Sequence, residues 1–172
     1  ILLTNFLANR YGKKRVFNIC LSLTAVYTAM IYFPDERDIE SMFVLNILKS
    51  LAYAPTVPLL WAMIADVADY SEYVNYRRAT GFVFAGVVFA LKAGLGIGGA
   101  ILGFLLSGFG YVSGTGVTQS SSAFHGIVLS SSLIPAVTFL VGVVALCFYP
   151  ITKKYNERMQ AELTERRAKD NY

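Results

Sequence analysis

Acidic side chains are missing from the long apolar stretches of this 172-residue chain. Asp35, Glu36, Asp38, Glu40, Asp66, Asp69, Glu72, Glu157, Glu162, Glu165 and Asp170 all fall outside them. Cysteine is scarce: Cys20 and Cys147 each sit inside an apolar run, with no CxxC or Cys/His spacing to build a metal site. His125 is the one histidine, and it reads as a solvated residue closing a loop rather than a proton relay. With no acid, histidine or metal ligand set inside the apolar stretches to activate a nucleophile, a membrane-embedded enzyme is excluded, and no cofactor is expected. Charged residues make up 15% of the chain against 55% hydrophobic, and the mean hydropathy is +0.52. That balance is too apolar for an ordinary soluble domain.

The apolar residues come in blocks of the length a helix needs to cross the ~30 Å hydrocarbon layer, about 20 residues. Val16 to Phe33 carries no charge, Met42 to Ile64 only Lys49, Gly81 to Gly108 only Lys92, and Gly126 to Tyr149 none. The expected fold class is an all-α polytopic membrane protein with spans 16–33, 42–64, 81–108 and 126–149. No small-residue cleavage pattern follows the first of these, and three more succeed it, so it is not a signal peptide. Residues 1–8 (ILLTNFLA, without an initiator methionine) read as the end of an earlier helix, and the chain as a fragment.

A net charge of +4 raises the question of nucleic acid, and the placement of the charge answers it in the negative. All basic residues except Arg37, Lys49 and Lys92 lie in 9–15, in 65–80 or in 150–172. The positive-inside rule puts these three segments in the cytoplasm, with the carboxy-terminal tail among them, and puts 34–41 and 109–125 outside. The partner is a lipid bilayer, and the expected location is the cell's inner membrane, crossed several times. The tail alternates charge signs around Met159 and Leu163, as a short helix on the membrane surface would.

Lys92 stands out because an ionisable side chain at depth is costly and normally faces a cavity or a partner. Eleven residues on from Gly81 it lies ~16 Å into the bilayer. No acid of this chain is at that depth, so its partner is expected in a missing half of the same protein. Asn46, Lys49, Tyr53 and Thr56 share one helical face, a polar stripe suited to an aqueous pathway, and Pro55 and Pro58 predict a bend beside it. Trp61, near the inner end, reads as an interfacial anchor. The third span carries Gly and Ala at four-residue spacing, which lets helices approach closely in lipid. Its formal GxGxxG at Gly94, Gly96 and Gly99 lies inside an apolar helix and is no dinucleotide site. Between the second and third spans, Asp66, Asp69 and Glu72 lie three apart, able to share a helical face that Arg77 and Arg78 meet after a turn. Such a cluster suits a charge lock on the inner side of an alternating-access protein.

These residues resemble the glycoside-pentoside-hexuronide cation symporters, the branch of the major facilitator superfamily that includes melibiose permease. WAMIADVADYSEY followed by RRATG is similar to that family's inner-loop signature, here with Ser71 where a glycine is often found. Lys92 falls 26 residues after Asp66, as the family's lysine of helix eleven does. LANRYGKKR is similar to the superfamily loop motif, with Asn9 in place of an aspartate. The resemblance implies the end of helix eight and helices nine to twelve, in the second six-helix bundle of a twelve-helix transporter. It implies symport of a sugar or glycoside with Na⁺, H⁺ or Li⁺, an inner gate at Asp66, Asp69, Glu72 and Arg78, and a place for Lys92 at the cation and sugar site. The alternatives are a related symporter for a lipid-like solute, and a non-transporting structural subunit.

Overall fold

A computed structural model describes residues 2–34, 38–77, 79–114 and 116–170. Among the described residues eight helices follow one another: α1 (Leu2–Tyr11), α2 (Lys13–Met30), α3 (Ile39–Tyr53), α4 (Thr56–Asn75), α5 (Thr80–Gly108), α6 (Ser121–Ser131), α7 (Leu133–Cys147) and α8 (Lys153–Asp170). No strand occurs among the described residues.

Helix α2 is the hub, packed against α7, α3, α4 and α1. Its Val16, Phe17 and Leu21 join Leu59 and Met63 of α4 in the core, with Phe139, Val143 and Leu146 of α7 against them. Gly142 permits the α2–α7 approach: a β-carbon there would lie 3.2 Å from Leu21 Cδ2. Thr24 and Thr28, fully buried in α2, donate to the carbonyls of Cys20 (2.8 Å) and Thr24 (2.6 Å). No hydroxyl proton is thereby left unpaired in an apolar setting.

Three stretches are long and apolar enough to cross a bilayer: Ile39–Asn75, Thr80–Gly108 and Ser121–Cys147. The first expected span is not among them. Three cations open α2, and its apolar part from Val16 to Met30 rises only ~22 Å, short of the hydrocarbon layer. The chain leaves α2 in a turn from Ile31 to Pro34. The other two spans expected with α2's neighbours are interrupted where proline removes a donor and crowds the preceding turn. α3 stops at Tyr53 and α4 begins at Thr56, with Pro55 between, and the Thr56 hydroxyl takes up the Tyr53 carbonyl at 2.6 Å. Upstream of Pro135 the break falls at Ser132, whose hydroxyl bonds back to the Val128 carbonyl at 2.6 Å.

The ends of the elements also differ from expectation. α4 runs on to Asn75, so most of the segment expected as a loop at 65–80 is helix. α6 begins at Ser121, capped by Ser120, which makes His125 helical rather than a loop residue. Its ring lies 6.1 Å from that of Tyr32 and 6.5 Å from that of Phe109. Trp61, 41% exposed, stacks on Phe84 of α5 at 6.2 Å, a helix-to-helix contact.

Candidate functional site: a polar cluster at the end of α4

The extension of α4 beyond Ile64 carries Asp66, Asp69 and Glu72 at three-residue spacing, the placement that lets one helix face present several carboxylates. Asp66 is almost enclosed, its side chain 9% exposed, and Lys13 Nζ donates to both of its oxygens at 2.8 and 2.7 Å. Lys13 is the first residue of α2, delivered by the turn at Gly12. That glycine has φ +89°, a left-handed conformation that a side chain resists.

Asp69 and Glu72 meet the tail. Arg167 of α8 grips Glu72 with Nε at 2.9 Å and Nη2 at 2.6 Å, and the same Nη2 reaches Asp69 at 3.3 Å. Two parallel N–H groups on one carboxylate make the stronger, geometrically specific kind of ion pair. The two carboxylates hold the Arg167 guanidinium above its ordinary pKa, Glu72 first through its hydrogen bonds. Gln160 adds a donor to Asp69 at 2.7 Å, and the Tyr73 hydroxyl donates to Glu162 at 3.0 Å. Arg166 donates to the Tyr73 carbonyl and lies over the rings of Tyr73 and Tyr76, 5.0 and 4.8 Å from their centroids. Tyr76, which ends α4 at φ +56°, is exposed, so this ring contact lies at the surface.

Beneath these contacts Met159 and Leu163 are buried to 1% and 2% exposure. The tail helix is therefore docked on the protein by an apolar seam flanked by ion pairs, rather than lying on the membrane surface alone. At the other edge of the cluster Lys14 Nζ donates to the carbonyls of Tyr149 (2.6 Å) and Cys147 (3.2 Å), the free acceptors at the end of α7.

Of the sequence-predicted residues, the structure gathers Asp66, Asp69 and Glu72, and beside them it describes two further cations. Arg77 is exposed just past the end of α4, and the described basic partners of the three acids are Lys13 and Arg167. Arg78 lies outside the described residues. Lys13, Gln160, Arg166 and Arg167 were missed because each comes from a segment 53 to 98 residues away from its partner. The signal available was Met159 and Leu163, four apart in an otherwise charged tail.

Lys92 sits apart, exposed, with no ion pair or hydrogen bond among the described residues. Val87, Leu91, Gly94 and Leu95 of α5 line an open apolar hollow shared with Leu60 and Ile64 of α4. At 100° per residue Lys92 points about 120° away from that side. Its own side carries Gly96, Gly99 and Gly103, where an added β-carbon would meet nothing within 4 Å. No residue of α5 is buried. The stripe from Asn46 to Thr56 divides: Asn46 is exposed and bonded to the Met42 carbonyl, Lys49 is half-buried, Tyr53 tilts against Phe139 of α7, and Thr56 is buried. Among the described residues no group of three or more His, Cys, Asp or Glu is placed to hold a metal.

Comparison with known proteins places this architecture. A family model described as MFS/sugar transport protein matches residues 1–153. The chain is 33% identical over 153 residues to a 29.9 kDa uncharacterized protein of Pseudescherichia vulneris, covering 87% of this chain and 54% of that one. It is 31% identical to the isoprimeverose transporter of Lactiplantibacillus pentosus, covering 99% of this chain and 35% of the relative. It is also 31% identical to the inner membrane symporter YicJ of Escherichia coli, with 83% and 31% covered. The chain thus spans between about a third and a half of the length of these relatives. No solved structure matches.

Proposed function

The chain belongs to the MFS/sugar transport protein family, among its glycoside-pentoside-hexuronide cation symporters, and on that premise we propose that the whole protein moves a sugar or glycoside together with Na⁺ or H⁺ by alternating access. The observation that supports it is the clamp on α4: three acids of one helix held by cations from two other elements, Lys13 and Arg167. Each pair joins separate helices and is partly open to water, so it can break and re-form as helices rock against each other, which an inner gate requires. In this reading Asp66, Asp69 and Glu72 close the cytoplasmic side in one state and part in the other. The tail is cytoplasmic in the inner membrane, and Arg77 adds to the basic rim. Lys92, on the uncovered side of α5, faces the cation and sugar site shared with the other half of the transporter, and Asn46 and Lys49 line the pathway. The test is uptake of a panel of labelled glycosides by the full-length protein, with and without a Na⁺ gradient and with a protonophore. Sugar accumulation that collapses with one of the two gradients is expected. Uptake of no sugar under any gradient refutes the proposal, and unimpaired coupled uptake by Lys92→Cys removes Lys92 from the site.

A further inference from the structure

Beside the clamp lies a recess that the proposed transport cycle leaves unused. It has a volume of about 440 Å³ and is formed where the α1–α2 turn meets the start of α8. Arg10, Lys14, Arg15, Lys153 and Lys154 line it, against the single acid Glu157. Glu157 balances little of this charge: its contact with Lys153 is 3.9 Å long and exposed on both sides. Lys14 and Lys153 are turned to backbone carbonyls, of α7's end and of Asn9, which leaves their charge uncompensated. Arg10, Arg15 and Lys154 make no ion pair among the described residues, Arg10 lying only over the ring of its neighbour Tyr11. The excess of positive charge is thus gathered in a concave site rather than spread over the surface.

Depth identifies the ligand. The apolar span Ser121–Cys147 ends five residues before Thr152, and the recess begins there. That is headgroup level, just outside the hydrocarbon. Phe148 (83% exposed) and Phe6 (61% exposed), the latter one helical turn from Arg10, offer aromatic surface on the apolar side. A ligand with an anionic head and acyl chains satisfies both halves, and clustered Lys and Arg at this level attract such heads.

We propose that this recess binds the phosphate headgroup of an anionic phospholipid, anchoring the α1–α2 turn and the start of α8 to the bilayer surface. The experiment is native mass spectrometry of the full-length protein in detergent, given phosphatidylglycerol or phosphatidylcholine of the same chain length. Retained phosphatidylglycerol is expected to exceed retained phosphatidylcholine, and to fall about fivefold for each charge removed in Arg10→Gln, Arg15→Gln and Lys154→Gln. Arg158→Gln, a basic residue outside the recess, should leave it unchanged. Equal retention of the two lipids by the unaltered protein overturns the proposal, whatever the variants do. So does a preference that survives the triple substitution. Displacement of the bound lipid by millimolar inorganic phosphate shows a free-anion site instead and also overturns it.

Discussion

The pair between Lys13 and Asp66 gives the sharpest test of the clamp, because its two members differ in access to water. The Asp66 side chain is 9% exposed and that of Lys13 34%. Breaking a fully buried pair from one side costs about 3–5 kcal/mol, since the remaining charge is stranded, whereas an exposed pair is worth about 1 kcal/mol or less. Lys13→Gln strands the enclosed carboxylate, replacing its ammonium partner with a neutral amide. With water able to enter along the path that exposes Lys13, the loss is about 2–3 kcal/mol. Asp66→Asn strands the more exposed partner, whose ammonium can rehydrate, and should cost about 1 kcal/mol. The double variant Lys13→Gln/Asp66→Asn leaves two amides able to bond each other and should be milder than Lys13→Gln alone. Denaturant unfolding of the full-length protein in detergent, run as a double-mutant cycle, reads the order directly. If Lys13→Gln destabilises no more than the double variant, Asp66 is not a stranded charge and the assignment of this pair fails.

Leu163→Ala removes the best-buried branched side chain of the tail seam and should cost about 2–4 kcal/mol of docking; limited proteolysis between Pro150 and Lys153 should accelerate accordingly. Gly126→Ala should destabilise by about 1–3 kcal/mol in thermal unfolding, since its methyl would lie 2.7 Å from Phe109 Cβ and Cγ, and Phe109→Ala in the same chain should recover part of the loss. Asp38 caps α3, and the Ser41 hydroxyl and amide hold its carboxyl below the ordinary carboxylate value. Its contribution is therefore present above the unfolded carboxylate pKa and lost as pH falls through the lower folded one. Hydrogen exchange at the start of α3, corrected for the intrinsic pH dependence, should show that loss, and Asp38→Asn should flatten it.

How much of this was legible in the sequence follows from the range over which each interaction acts. Three of the four expected spans could be read because a bilayer demands some 20 apolar residues in a row, a local requirement, and the break at Pro55 obeys an equally local rule of donor loss. The three acids of α4 could be read for the same reason: their spacing is a property of one helix. Which cation meets which acid is not local. Arg77 is nearest along the chain, yet the left-handed turn at Tyr76 ends α4 beside it, and Arg167 reaches Glu72 from 95 residues away because Met159 and Leu163 dock the tail first. In a charged segment two apolar residues at i and i+4 carry more positional information than the charges around them. They have one way to be buried, whereas any cation can pair with any acid. The same asymmetry explains Lys92. Its depth follows from counting along one helix, but the group it faces is set by whatever covers the open side of α5, and no other part of the described chain does so.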